Sequence, residues 1–126
     1  METSNKSVVV TGGANGIGKA LAKAFKNAGA SHVLIADLDE VEGEKTAKEI
    51  GIKFKKTNVG LENEIIDLIK TANEYAGRID IFCSNAGIGG APMLLDVTTE
   101  DWQNIWEVNV MSHIHAAKNV LPQMLE

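Results

Sequence analysis

Apolar residues along this chain change their spacing in a regular way, and each change marks a new element. Ser7-Val8-Val9-Val10 is an unbroken β-branched run, the pattern of a strand covered on both faces. It ends in a glycine-rich stretch, Thr11 to Gly18. Ile17, Leu21, Phe25 and Ala28 then recur at helical spacing until Gly29. His32 to Ala36 predicts a second buried strand. Asp39, with Glu42 three residues on, predicts an N-cap and a polar helix to about Ile50. Ile52-Lys53-Phe54 alternates and predicts a weaker third strand near a sheet edge. Glu64 to Tyr75 places Ile65, Leu68, Ile69 and Ala72 on one helical face, and Gly77 closes it. Ile79 to Ser84 predicts the fourth strand, and a loop runs through Pro92 to Val97. Thr98-Thr99-Glu100-Asp101 then caps a last helix from about Asp101 to Leu125.

The resulting order, βαβαβαβα, requires parallel strands joined by right-handed crossovers, hence a doubly wound α/β sheet. The last helix carries apolar side chains nearly all round, Trp102, Trp106, Val110, Ile114 and Leu121 among them. Only part of it faces so short a sheet, so the rest calls for further chain or a second copy.

The glycine stretch is the first candidate for chemistry. Gly12 suits the positive φ of a tight turn. Gly16 and Gly18 carry no side chain to hold a pyrophosphate away from the helix N-terminus. Asp37 stands 19 positions after Gly18 at the end of the second strand, where a carboxylate accepts from an adenosine ribose. Strand, glycine turn, helix and acid together predict a Rossmann-type dinucleotide site. A phosphate-loop pattern overlaps it, Gly13 through Gly18-Lys19. Ala20 stands where that motif needs a magnesium-binding hydroxyl, so Lys19 is read as a solvated first-turn residue.

Composition narrows the class. The 126 residues are 44% hydrophobic and 23% charged, with a net charge of −5, which suits one globular unit and disfavours nucleic acid as a partner. No run of apolar residues is long enough for a membrane span, and Met1 to Lys6 lacks the regions of a signal peptide. A single cysteine, Cys83, excludes an internal disulfide and fits a cytoplasmic setting. It reads as a small buried hydrophobe. His113 and His115 lie about 200° apart on a helix, so they do not share a metal.

These motifs resemble the short-chain dehydrogenase/reductase family. Its T-G-x-x-x-G-I-G pattern stands here as Thr11-Gly12 through Gly16-Ile17-Gly18, its N-A-G as Asn85-Ala86-Gly87, and its V-N as Val108-Asn109. The resemblance implies an oxidoreductase moving hydride between a nicotinamide cofactor and a small-molecule alcohol/carbonyl pair. It implies that the loop residues Gly12, Asn15, Gly16, Ile17 and Gly18 hold the pyrophosphate and that Asp37 and Leu38 flank the ribose. Asn58 and Val59 would meet adenine, and Asn85, Ala86 and Gly87 would support the central strand beside the cofactor. Asn109 would be catalytic, kinking its helix and holding a water of the proton relay. Asp37 repels a 2′-phosphate, and neither Asn15 nor Leu38 supplies a compensating cation, so NAD is favoured over NADP. The family commonly has Asp-Val where Asn58-Val59 stand, and an amide still accepts there through its carbonyl.

One family motif is absent. Tyr-x-x-x-Lys does not occur: the single tyrosine, Tyr75, is followed four residues later by Ile79. The expectation is therefore an NAD-binding N-terminal half, residues 1–126, with the catalytic part beyond it and a homo-oligomer formed through the last helix. Two other readings compete. One is a non-catalytic NAD-binding or interaction protein. The other is an S-adenosylmethionine-dependent methyltransferase, against which the Gly12–Gly16 spacing and the Asn-Ala-Gly motif count.

Overall fold

The structure is a computed structural model that describes residues 2–90 and 93–126; Pro92, in the expected loop, lies outside the described residues. Val8, Val9 and Val10 form the middle of β1 (Ser7–Thr11), every residue of which is buried. It pairs in parallel with β2 (His32–Asp37) on one side and with β4 (Ile81–Cys83) on the other. The third strand, β3 (Lys53–Lys56), pairs with β2, so the sheet order is β3-β2-β1-β4. As expected, β3 is an edge strand, though it starts and ends later than Ile52–Phe54. The fourth strand is shorter than Ile79–Ser84, because only Ile81 to Cys83 have β1 partners.

Alternate residues of β1 feed two cores. Val8 and Val10 pack with Val33, Ile35, Ala22 and Ala47 under α1 (Gly16–Asn27) and α2 (Glu40–Ile50). Val9 packs with Leu34, Ile65, Leu68 and Val120 under α3 (Glu62–Ala76) and the C-terminal helix. Both faces are thus covered, which is why the strands read as continuous apolar runs. The expected face of α3, Ile65, Leu68, Ile69 and Ala72, is fully buried. In α1 the period misleads at both ends. Ala28 is an exposed C-cap. Ile17 is 74% exposed, since the first turn projects past the end of the sheet.

Local signals set the helix starts. The Asp39 carboxylate accepts from the Glu42 N–H at 3.0 Å, as its position predicts. Thr98 and Asp101 form a reciprocal capping box, so the helix begins at Thr99 rather than Asp101. The single long helix expected from there is corrected to three pieces: α4 (Thr99–Trp106), a π turn (Glu107–Met111) and α5 (Ser112–Leu125). In the π turn the Ser112 N–H reaches back five residues to the Glu107 carbonyl. Periodicity cannot reveal one extra residue in a turn. As the apolar circumference implied, only one side of this segment packs inward, through Val108, Ser112, Ala116 and Val120. Trp102 and Trp106 stay 51% and 54% exposed. Among the described residues, no helix is long and apolar enough to cross a membrane.

Candidate functional site

The strand order places the site. From β1 the chain moves outward through β2 to β3, then crosses back to β4 on the far side of β1. A doubly wound sheet opens a crevice at such a reversal, beyond the carboxyl ends of the strands. A cleft of about 420 Å³ lies there. Four loops line it: Gly12, Asn15, Ile17 and Gly18 after β1, Asp37 and Leu38 after β2, Thr57 to Val59 after β3, and Asn85 to Ile88 after β4. Every residue expected to bind a cofactor except Gly16 lines the cleft, and Gly16 stands between two lining residues at the loop–helix junction, with Asn109 just behind Gly87.

The three loop glycines have separate reasons. Gly12 has φ +66°, and a Cβ on it would lie 2.9 Å from the Ala86 Cα. Gly16 has φ +53°, and a Cβ there would meet only open space. Gly18 differs from its expected role. A Cβ on it would lie 2.0 Å from the Gly12 carbonyl oxygen, so this glycine closes the loop onto the helix rather than clearing room for a ligand. Asn15 provides no side-chain cap for α1, and the first turn of α1 holds no acid. Its N-terminal N–H groups and dipole are left for an external anion. That opening, beside a glycine with free space over it, fits a diphosphate.

Asp37 is held before any ligand arrives. Its Oδ2 accepts from the Ala14 N–H at 3.0 Å and its Oδ1 from the Asp39 N–H at 3.1 Å. A carboxylate has about four acceptor positions, so two remain for ligand hydroxyls. Farther out, the Asn58 N–H donates to Glu64 Oε2 at 2.6 Å, and Asn58 Oδ1 accepts from the Gly60 N–H at 3.0 Å.

On the other side, Thr11 and Asn85 clamp β1 to β4. Thr11 Oγ1 accepts from the N–H groups of Asn85 (2.9 Å) and Ala86 (3.1 Å). Asn85 Nδ2 donates to the Thr11 carbonyl at 3.0 Å. Behind them, in the π turn, Asn109 binds both backbone groups of Ile88. It does not line the cleft; it borders a separate hollow beside Trp102 and Trp106.

Sequence reasoning missed Thr57, Ile88 and Val108, which line the cleft, and a residue that supports it from behind. Thr46, fully buried on the otherwise polar α2, donates its hydroxyl to the Ala14 carbonyl at 2.6 Å. A threonine beside Gly43 and Ala47, the other small residues that α2 buries, was the available signal. Lys19, in the first turn of α1, forms a surface ion pair with Glu49, 2.7 Å away, which holds the Glu49 carboxyl below its usual range. Tyr75 lies at the opposite end of the sheet, edge-on to His32 at 4.8 Å with Lys53 Nζ 4.4 Å from its ring centroid. Cys83 is half-buried, and desolvation pushes its thiol pKa up, against a reactive thiolate. His115 turns toward Glu62 on α3, while His113 borders the groove beside β4.

A family model described as short chain dehydrogenase matches residues 6–126. The short chain aldehyde dehydrogenase 1 of Euphorbia lathyris is 33% identical over 126 residues, covering 95% of this chain and 43% of that protein. The CLA biosynthesis dehydrogenase/reductase of Lactiplantibacillus plantarum is 32% identical over 127 residues, covering 97% and 44%. Among solved structures, a short chain dehydrogenase/reductase from Burkholderia phymatum in complex with NAD superposes with a TM-score of 0.94 at 28% identity, covering 99% of this chain and 46% of that one. The 3-ketoacyl-(acyl-carrier-protein) reductase from Brucella melitensis, complexed with NADH, gives 0.92 at 30%, covering 96% and 51%. The chain thus spans about half the length of these relatives. With motifs, strand order and cleft in agreement, this chain belongs to the short chain dehydrogenase family.

Proposed function

We propose that residues 1–126 are the NAD-binding unit of an oxidoreductase acting on an alcohol/carbonyl pair. The carrying observation is the uncapped N-terminus of α1 beside Gly16, at the switch point of the sheet. In this reading the loop from Gly12 to Gly18 holds the diphosphate and Asp37 receives the ribose hydroxyls. Leu38, Asn58 and Val59 take the base, and Asn85 to Gly87 flank the nicotinamide end. NAD, when bound, supplies the hydride acceptor. The chain's own residues bind it, orient it and shield one side from water. The relatives solved with NAD and NADH support this choice. A 2′-phosphate would face the Asp37 carboxylate, a like-charge contact. Asn109 enters as a positioning residue for the loop after β4; a part in proton transfer is left to its second Nδ2 hydrogen and second Oδ1 lone pair.

The Tyr-Lys acid–base pair of such a reaction would come from outside these residues, because Tyr75 sits at the wrong end of the sheet. That placement also favours a second reading, an NAD-binding protein without turnover. We further assign the exposed side of α4 and α5 to a homo-oligomer contact and the protein to the cytoplasm, with which a single unpaired cysteine agrees. Calorimetric titration of the full chain with NAD, NADP and S-adenosylmethionine tests the core of the proposal. NAD should bind, NADP about tenfold or more weakly, and S-adenosylmethionine not at all. Absence of NAD binding would overturn it. NAD binding without oxidation of any of a panel of alcohols would select the second reading.

A further inference from the structure

The strand order dictates the order of loops along the cleft: Asn85 to Ile88, then the glycine loop, then Asp37, then Asn58 and Val59. A dinucleotide with its diphosphate on the glycine loop and a ribose at Asp37 therefore has one place for the base attached to that ribose, beside Asn58. This step rests on the function proposed above.

The Asn58 carboxamide is fixed in a particular sense. Its Oδ1 accepts from the Gly60 N–H and its own N–H is held by Glu64. That leaves one lone pair on Oδ1, while no described residue accepts from Nδ2. An amide so held offers a donor and an acceptor at the mouth of the base site. A carboxylate there would offer acceptors only. The 6-amino group of adenine donates, whereas the 6-oxo group of hypoxanthine accepts. We infer that Asn58 makes the base site of this chain indifferent to the purine 6-substituent, so that a 6-oxopurine dinucleotide binds about as well as NAD.

The test compares NAD with nicotinamide hypoxanthine dinucleotide on the full chain by calorimetry, first for the wild type and then for Asn58→Asp. An aspartate still accepts from the Gly60 N–H, so the turn persists. The expected wild-type affinities agree within about threefold. Asn58→Asp should favour NAD by about tenfold or more, since a 6-oxo group would then face an acceptor with no hydrogen between them. A wild-type preference for NAD of tenfold or more overturns the inference while leaving the proposed function standing, as does an Asn58→Asp chain with an unchanged ratio. Failure of both dinucleotides to bind overturns the proposed function and this inference with it.

Discussion

Asn109 grips Ile88 by both of its backbone groups: Oδ1 accepts the Ile88 N–H at 2.9 Å and Nδ2 donates to the Ile88 carbonyl at 2.8 Å. This two-point contact ties the loop after β4 to the π turn across 21 residues of chain. Asn109→Ala would hand both Ile88 groups, which lie at the surface, to water, at a net cost of about 0.5–1.5 kcal/mol. Hydrogen exchange at the Ile88 amide should speed up, with a matching fall in the denaturant midpoint. Exchange unchanged from wild type would show that the contact does not hold the loop.

The glycine loop separates two kinds of constraint. Gly18→Ala drives a Cβ into the Gly12 carbonyl, and overpacking of that severity costs about 3 kcal/mol or more. Gly16→Ala meets no atoms and pays only the left-handed backbone, about 1–2 kcal/mol. Denaturation should therefore rank Gly18→Ala well below Gly16→Ala. Titration should show that Gly16→Ala folds yet loses NAD affinity, because its new methyl occupies the anion's place.

Thr46 and Asp37 pin Ala14 from opposite sides, by its carbonyl and its N–H. Thr46→Val is nearly isosteric but strands a buried carbonyl, for about 1–3 kcal/mol. Thr46→Ser keeps the hydroxyl and should recover NAD affinity more than stability. Equal NAD affinity in all three chains would separate α2 from the site.

Asp80 gives the fold a pH dependence at the other end of the sheet. The Ser7 N–H, 2.9 Å from its carboxylate, holds the carboxyl below its usual range, assisted by the Ser7 hydroxyl and Lys6 at 3.6 Å. A pKa lowered on folding adds stability that is complete above the unfolded value, about 4, and disappears as pH falls through the folded one. Thermal melts of wild type and Asp80→Ala should differ most near neutrality and converge as pH falls below about 4. A gap that persists at low pH would assign the loss to packing instead.

The outward tryptophans test the oligomer contact. Trp102 and Trp106 border one hollow with Ile105 and Val110. Sedimentation should find the wild type associated and Trp106→Asp shifted toward monomer. A monomeric wild type at all concentrations removes this contact.

Much of this was legible in the chain itself. The places of Asn58, Val59 and Asn85 to Gly87 came from the family resemblance, whereas strand and helix order, the covered character of β1 and β2, the Asp39 and Thr98 caps, and the pairing of the glycine loop with Asp37 follow from spacing and turn chemistry. Those effects act within a few residues, so local sequence carries them. Tertiary structure alone decided that Gly18 meets Gly12, that Thr46 reaches Ala14 and that Ile17 lies off the sheet, and it gave the kink that the resemblance implied at Asn109 its form as a π turn. Each depends on which groups the crossovers bring within a few ångströms. Residues far apart in sequence leave no period by which such a meeting could be read.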